Sequence, residues 1–230
     1  MAEGINPRAL TREVRVTLER YAAAIAQAPL NLVGSRDRHD VWERHVRDAL
    51  GVVGVLRPEP SERWIDVGSG GGFPGAVLGI VTGCATTLCD ARQKKMAYLS
   101  TVLADLGLDH VEVLWGRAES LAWSPQLRGR FQGATIRAVA PLVPSVELCR
   151  GFVAPGGRIA VIRGRDGRDA AHELRPLLSR LGVEQVTAVG IPTAVRETWL
   201  VTMQACGPPP DEFPRPEGVP VHQPLGSTKD

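Results

Sequence analysis

A chain of 230 residues, 43% hydrophobic and 23% charged, has room for one domain with an extension or for two small ones. Its formal net charge of +2 excludes a whole-protein cationic footprint for nucleic acid. Glycine, threonine or charge interrupts every apolar run well before the roughly 18 residues of a membrane helix, and the first ten residues show no basic stretch followed by an apolar one. The sequence therefore reads as a folded, soluble, cytoplasmic protein with no membrane contact. Cys84, Cys89, Cys149 and Cys206 are scattered without a C-x-x-C pair, and the five histidines are equally dispersed, so reduced thiols and no metal are expected. Of the 27 basic residues, 24 are arginine and three are lysine, a bias that suits phosphate clamping and follows equally from a GC-rich genome.

Residues 8–28 carry Leu10, Val14, Leu18, Tyr21 and Ile25 at helical spacing, and Pro29 ends the pattern. A polar loop from Asn31 to Asp37 leads to a second amphipathic helix over 40–56, with Trp42, His45, Val46 and Leu50 on its stripe. These two helices make an N-terminal cap over residues 1–57. From Arg63 short apolar strands alternate with helices, which predicts an α/β domain over 58–205: a parallel sheet with helices on both faces. Strands are expected near 64–67, 86–90, 111–114, 134–136, 157–163, 185–189 and 198–205, and helices near 74–81, 92–106, 143–152 and 169–181. The last 25 residues, 206–230, hold seven prolines and little apolar periodicity, and read as an extended surface tail.

The strongest motif is Asp66-Val67-Gly68-Ser69-Gly70-Gly71-Gly72-Phe73-Pro74-Gly75, a strand that runs into five glycines and then a helix. Such a loop brings backbone close to a ligand, and the helix adds unpaired N–H groups and the positive end of its dipole. Gly70-x-Gly72-x-x-Gly75 also fits a dinucleotide fingerprint, so a nicotinamide-dependent enzyme is a rival. Three companions favour S-adenosylmethionine (SAM). Asp66 puts a carboxylate at the strand end, suited to the methionine ammonium and repulsive to a pyrophosphate. Asp90 ends the second strand, where an acid accepts the ribose hydroxyls. Gly116-Arg117-Ala118-Glu119 follows the third strand, at the adenine end. Each acid also has a plainer reading as a helix cap or helix start. Together they predict a Rossmann-like class I SAM-dependent methyltransferase with a mostly parallel seven-stranded sheet. A SAM-binding protein without turnover, and a methyltransferase of another substrate, are the alternatives.

Further segments carry a family resemblance: Asn31-Leu-Val-x-x-Arg-Asp37, Arg44-His45-x-x-Asp48, the glycine loop, Lys94-Lys95, Gly116-Arg-Ala-Glu119, Arg137-Ala-Val-Ala-Pro141 and Pro214-Arg-x-x-Gly-x-Pro220. With these, the chain from about residue 22 to 225 resembles the bacterial 16S rRNA guanine-N7 methyltransferases, the RsmG or GidB family. The resemblance implies methyl transfer from SAM to N7 of a guanine in the 530 loop of 16S rRNA, in a small ribosomal subunit or its precursor. It implies cofactor contacts at Gly68, Phe73, Ala118, Glu119 and Arg137, to which the motif reading adds Asp66, Ser69, Gly70, Gly72, Pro74, Asp90 and Ala91. It implies RNA contacts at Asn31, Arg36, His45, Lys94 and Arg163, with Lys95 beside them. The chain departs from the family at Val33, Ile136 and Arg163, and Asp211, Glu212 and Glu217 make its tail acidic where the family is basic.

A guanine N7 lone pair attacks without losing a proton, so no general base is expected. This agrees with the absence of the Asp/Asn-Pro-Pro-Tyr segment of amino-methylating enzymes and of a Pro-Cys nucleophile. Arg137 is expected to position cofactor or base, or else to pair with Asp66. No coiled coil or long unpaired edge is evident, and a monomer is expected.

Overall fold

The computed structural model describes residues 5–6, 9–169, 171–191 and 196–227. Seven strands form one sheet: β1 (Arg63–Val67), β2 (Ala85–Asp90), β3 (Val111–Trp115), β4 (Phe131–Arg137), β5 (Val153–Arg163), β6 (Val183–Ile191) and β7 (Thr198–Ala205). Their order is β3-β2-β1-β4-β5-β7-β6, with β7 antiparallel to both neighbours and the other pairings parallel. The order reverses between β1 and β4, and the crevice above their carboxyl ends is where such sheets hold ligands. β1 is buried from Trp64 to Val67, as a central strand covered on both faces must be.

The helices are α1 (Arg12–Gln27), α2 (Arg47–Leu56), α3 (Gly75–Thr82), α4 (Gln93–Asp105), α5 (Ala118–Leu121), α6 (Leu142–Arg150), α7 (Ala171–Leu174), α8 (Leu178–Leu181) and α9 (Val219–His222). α1 starts where Thr11 caps it, its hydroxyl accepting from the Val14 N–H at 3.3 Å. Arg8, the expected start, lies outside the described residues. α3 is buried from Gly75 to Ile80, pressed between the sheet and the N-terminal helices, and one apolar cluster joins Leu18, Tyr21 and Ile25 of α1 to Phe73, Val77 and Leu99. The cap is thus continuous with the core. A second cluster on the opposite face joins Ile65, Phe131, Val146, Phe152 and Val201 to Phe213 and Leu225.

Three expectations are corrected. The second helix is broken into a 3-10 turn (Ser35–Asp40), a π turn (Trp42–Val46) and α2. The helix expected at 169–181 is also broken, because Pro176 lacks the N–H that a helix interior needs and a 3-10 turn separates α7 from α8. The tail, though mostly irregular, is a packed strap. Phe213 is fully buried, Arg128 donates to the carbonyls of Pro210 and Phe213, each at 2.9 Å, and Arg215 holds buried Glu147 at 2.7 Å. Arg150, itself fully buried, donates to the carbonyls of Gly207 (2.6 Å) and Pro208 (2.8 Å). As expected, most thiols are buried; Cys206 alone is exposed.

Candidate active site

Above the switch point lies a cleft of about 520 Å³, bounded by the glycine loop, the ends of β2 and β4, the turn after β3, and α9. Gly68, Gly70 and Gly72 have φ values of +67°, +55° and +79°, a region that side chains rarely adopt. At Gly72 the requirement is double, because an added Cβ would overlap the Tyr21 hydroxyl. That hydroxyl donates to the Gly71 carbonyl at 2.8 Å, and its ring meets Phe73 edge-on at 5.6 Å between centroids. The cap therefore shapes the loop directly.

Asp90 occupies the middle of the cleft. Its Oδ2 accepts from the Gly70 N–H at 3.0 Å and its Oδ1 from the Arg92 N–H at 2.8 Å, which leaves lone pairs on both oxygens toward the cavity. Lys95 lines the cleft beside Gly70. At the far end stand Ala118 and Glu119. Glu119 is 3% exposed; burial raises its affinity for a proton, but the Gly218 N–H (2.9 Å) and the Arg117 guanidinium (2.8 Å) outweigh this and hold it below the usual carboxylate range.

Asp66 behaves differently from Asp90. It is 1% exposed and does not line the cleft. Oδ2 accepts from the Gly75 N–H at 3.1 Å, and Oδ1 accepts from the Thr135 hydroxyl at 2.6 Å. Burial pushes its carboxyl up to about 6, against these hydrogen bonds and the Arg137 charge. The helix-cap reading describes this geometry: Asp66 braces the first turn of α3 and ties β1 to β4. Both carboxylate oxygens are thereby engaged by donors of the protein itself. Gly72 and Pro74 belong to the loop but do not line the cleft, and Pro74 is the N-cap of α3.

Two smaller cavities share Arg137 and Ala138 with the cleft as lining residues. One, of about 190 Å³, lies under residues 32–34 and is lined by His45, Ser69 and Phe73. The other, of about 370 Å³, is lined by Asp48, Arg163 and Asp166. Arg137 pairs with Asp48 at 3.3 Å, so the alternative ion pair with Asp66 is replaced by one with Asp48. Ala138, at φ +55°, turns the chain where Arg137 lines all three cavities. His45 is 9% exposed and stacks on Phe73 at 5.2 Å. Burial and the Arg137 charge lower its pKa to about 4, against Asp37, so the ring is neutral at neutral pH. Asp37 gathers the surroundings: Arg44 lies 3.2 Å, His45 3.3 Å and Arg196 2.7 Å from its oxygens.

The expected RNA-side residues divide. Asn31, Arg36 and Lys94 are exposed on the surface. Lys95 and His45 reach the cavities. Arg163 donates to the Ala140 carbonyl at 3.1 Å and pairs with Asp166, so its guanidinium is engaged within the protein. Sequence reasoning gave no role to Tyr21, Asp37, Asp48 or Gly218. Tyr21 carried a signal only as one of two tyrosines on a buried stripe. Asp37 and Asp48 closed their motifs without a role of their own. Among the described residues no group of three or more His, Cys, Asp or Glu side chains could hold a metal, and no helix is long and apolar enough to cross a membrane.

The glycine cradle and the Asp90 carboxylate beyond it fit SAM, and the sheet order agrees. The fold and site define a class I SAM-dependent methyltransferase. Solved structures share the fold: a mutant of MtNAS in complex with S-adenosylmethionine (TM-score 0.58, 15% identity, 84% of this chain and 73% of that one), and a SAM-dependent methyltransferase from Aquifex aeolicus (TM-score 0.53, 19% identity, 72% and 92%). The family model described as GidB, rRNA small subunit methyltransferase G, matches residues 15–198, and the chain belongs to that family. Proteins named ribosomal RNA small subunit methyltransferase G are similar over most of its length. The one from Synechococcus elongatus is 35% identical over 86% of this chain and 83% of its own, and the one from Burkholderia vietnamiensis is 37% identical over 84% of each.

Proposed function

We propose that the chain, acting as a monomer, methylates N7 of a guanine in the 530 loop of 16S rRNA, within a small ribosomal subunit or its precursor. The observation that carries this reading is that the cofactor cleft and the His45–Phe73 cavity share Arg137 and Ala138 as lining residues. One space suits the cofactor, the other a base, and they adjoin at the end of β4. SAM supplies an electrophilic methyl group on a sulfonium. The guanine N7 lone pair takes that methyl carbon, the sulfur keeps the electron pair of the broken bond, and no proton moves.

The residues present suit a reaction without a base. His45 is neutral and, with its pKa lowered to about 4, a weak proton acceptor. Arg137 is offset by Asp48, so little net positive charge faces a purine that becomes cationic. What remains is alignment. The loop backbone at Gly68 and Gly70, with Asp90, Ala91, Ala118 and Glu119, fixes the cofactor. Ser69, Phe73 and His45, the last two stacked, line the space for the base. Holding reactants in line in this way can lower a barrier by several kcal/mol. Asn31, Arg36, Lys94 and Lys95 reach outward for the RNA backbone, which a near-neutral protein holds weakly without the shape of a particle.

The test is to incubate the protein with methyl-labelled SAM and small subunits lacking the modification, then digest the RNA. N7-methylguanosine from the 530 loop is the expected label. Label at another nucleotide or another ring atom rejects the substrate while keeping the cofactor.

A further inference from the structure

The cofactor cleft has a wall that the family match does not include. The match ends at residue 198, yet Gly218, Val221 and His222 line the cleft. The chain reaches this place through fixed contacts. Arg150 and Arg128 hold the carbonyls of residues 207–210 and of Phe213, Trp123 Nε1 donates to the Pro214 carbonyl at 3.1 Å, and Arg215 is locked to Glu147. The Ser120 hydroxyl then donates to Glu217, and the Gly218 N–H donates to Glu119. α9 follows at once, its first turn closed by the His222 N–H on the Gly218 carbonyl at 2.9 Å.

This wall stands at one end of the cleft. The glycine loop marks one end, Asp90 the middle, and Ala118 and Glu119, to which Gly218 is bonded, mark the other. A cofactor whose ribose meets Asp90 and whose amino-acid part meets the loop has its adenine at the Ala118 end. There Ala118, Leu148 of α6 and Val221 of α9 supply apolar surface, and Val221, 36% exposed, follows the buried Pro220. An aromatic ring is the group that such surfaces cover.

We propose that Val221 is a cofactor-binding residue that covers the adenine of SAM, and that the strap is part of the cofactor site. The inference rests on the SAM reading of the cleft. Binding of SAM and of free adenosine is measured by calorimetry on the full chain and on Val221→Asp and Val221→Ala. Amide hydrogen exchange over 218–223 is followed with and without SAM. Val221→Asp weakens SAM and adenosine alike by about tenfold or more, Val221→Ala by about threefold, and SAM slows exchange at the Val221 and His222 amides. Wild-type affinity in both variants overturns the proposal, whatever the exchange shows. Val221→Ala keeps the question decidable if the aspartate variant does not fold. A wild-type chain that binds neither SAM nor adenosine sinks the cofactor reading itself, a different failure.

Discussion

The glycine loop at 68–75 and the strap at 206–227 face each other across the cofactor cleft, and the contacts that hold them differ in kind. The loop is set mainly by its own backbone and the strand ends beside it: positive φ at three glycines, a brace from Asp66 two residues before the loop, the Cys89 carbonyl and Asp90 carboxylate of β2 on the Ser69 and Gly70 N–H groups, and the Tyr21 hydroxyl. The strap has short turns of its own, such as Phe213 N–H on the Pro210 carbonyl and His222 N–H on the Gly218 carbonyl, but these do not fix it against the domain. Arginines and acids from distant segments hold its carbonyls and side chains: Arg128, Glu147 and Arg150, with Glu119 at its end. One wall is therefore encoded locally. The other exists only once the rest of the domain is folded.

Three variants test that contrast. Replacing Gly72 with valine imposes the left-handed φ on a β-branched residue and overlaps Tyr21, and is expected to cost about 4 kcal/mol or more in urea unfolding, with loss of SAM binding. A loop that tolerates valine would not be backbone-determined. Arg150→Met removes five hydrogen bonds to carbonyls and is expected to cost about 3 to 4 kcal/mol. Limited proteolysis should then cut within 207–215 before it cuts the loop; cleavage of both at equal rates would erase the distinction.

The third variant uses pH. Between pH 6.5 and about 4 the unfolded chain takes up a proton at His45 and the buried ring refuses it, so this contribution is whole above pH 6.5 and is lost as pH falls. The full effect is about 3 kcal/mol at most, and His45→Phe should remove that slope from stability measured at pH 7, 5.5 and 4.5. Glu119, held below its ordinary value of 4.5, loses its contribution only on further acidification. Asp66, pushed up to about 6, takes up its proton in the folded state first and acts in the opposite direction over much of the same window, so the His45 effect is read as the difference between wild type and His45→Phe. An unchanged slope in His45→Phe would place the sensitive group elsewhere.

This local-versus-distant split also decides what could be read from the sequence. All seven strands were legible because their cores are runs such as Trp64-Ile65 and Val161-Ile162, bounded by turns. The glycine loop was legible because its conformation demands its residue types. Asp66 and Asp90 were not separable: both end a strand before a turn, and only the packing shows one carboxylate beneath the loop and the other in the cleft. The strap reads as a surface tail in the sequence because a proline-rich segment has no period to betray burial, and its partners Arg150, Arg128 and Trp123 lie 57, 85 and 91 residues away. Likewise the π turn that carries His45 leaves the apolar spacing of 40–56 looking like an ordinary helix.

The position of α9 also bears on the order in which the protein is made. Translation runs from the N-terminus, so the glycine loop, Asp90 and the Ala118 turn have all left the ribosome before Gly218 is joined to the chain. A nascent polypeptide can fold its sheet and still present a cleft open at one end. Its hold on the cofactor is completed only when the last wall arrives.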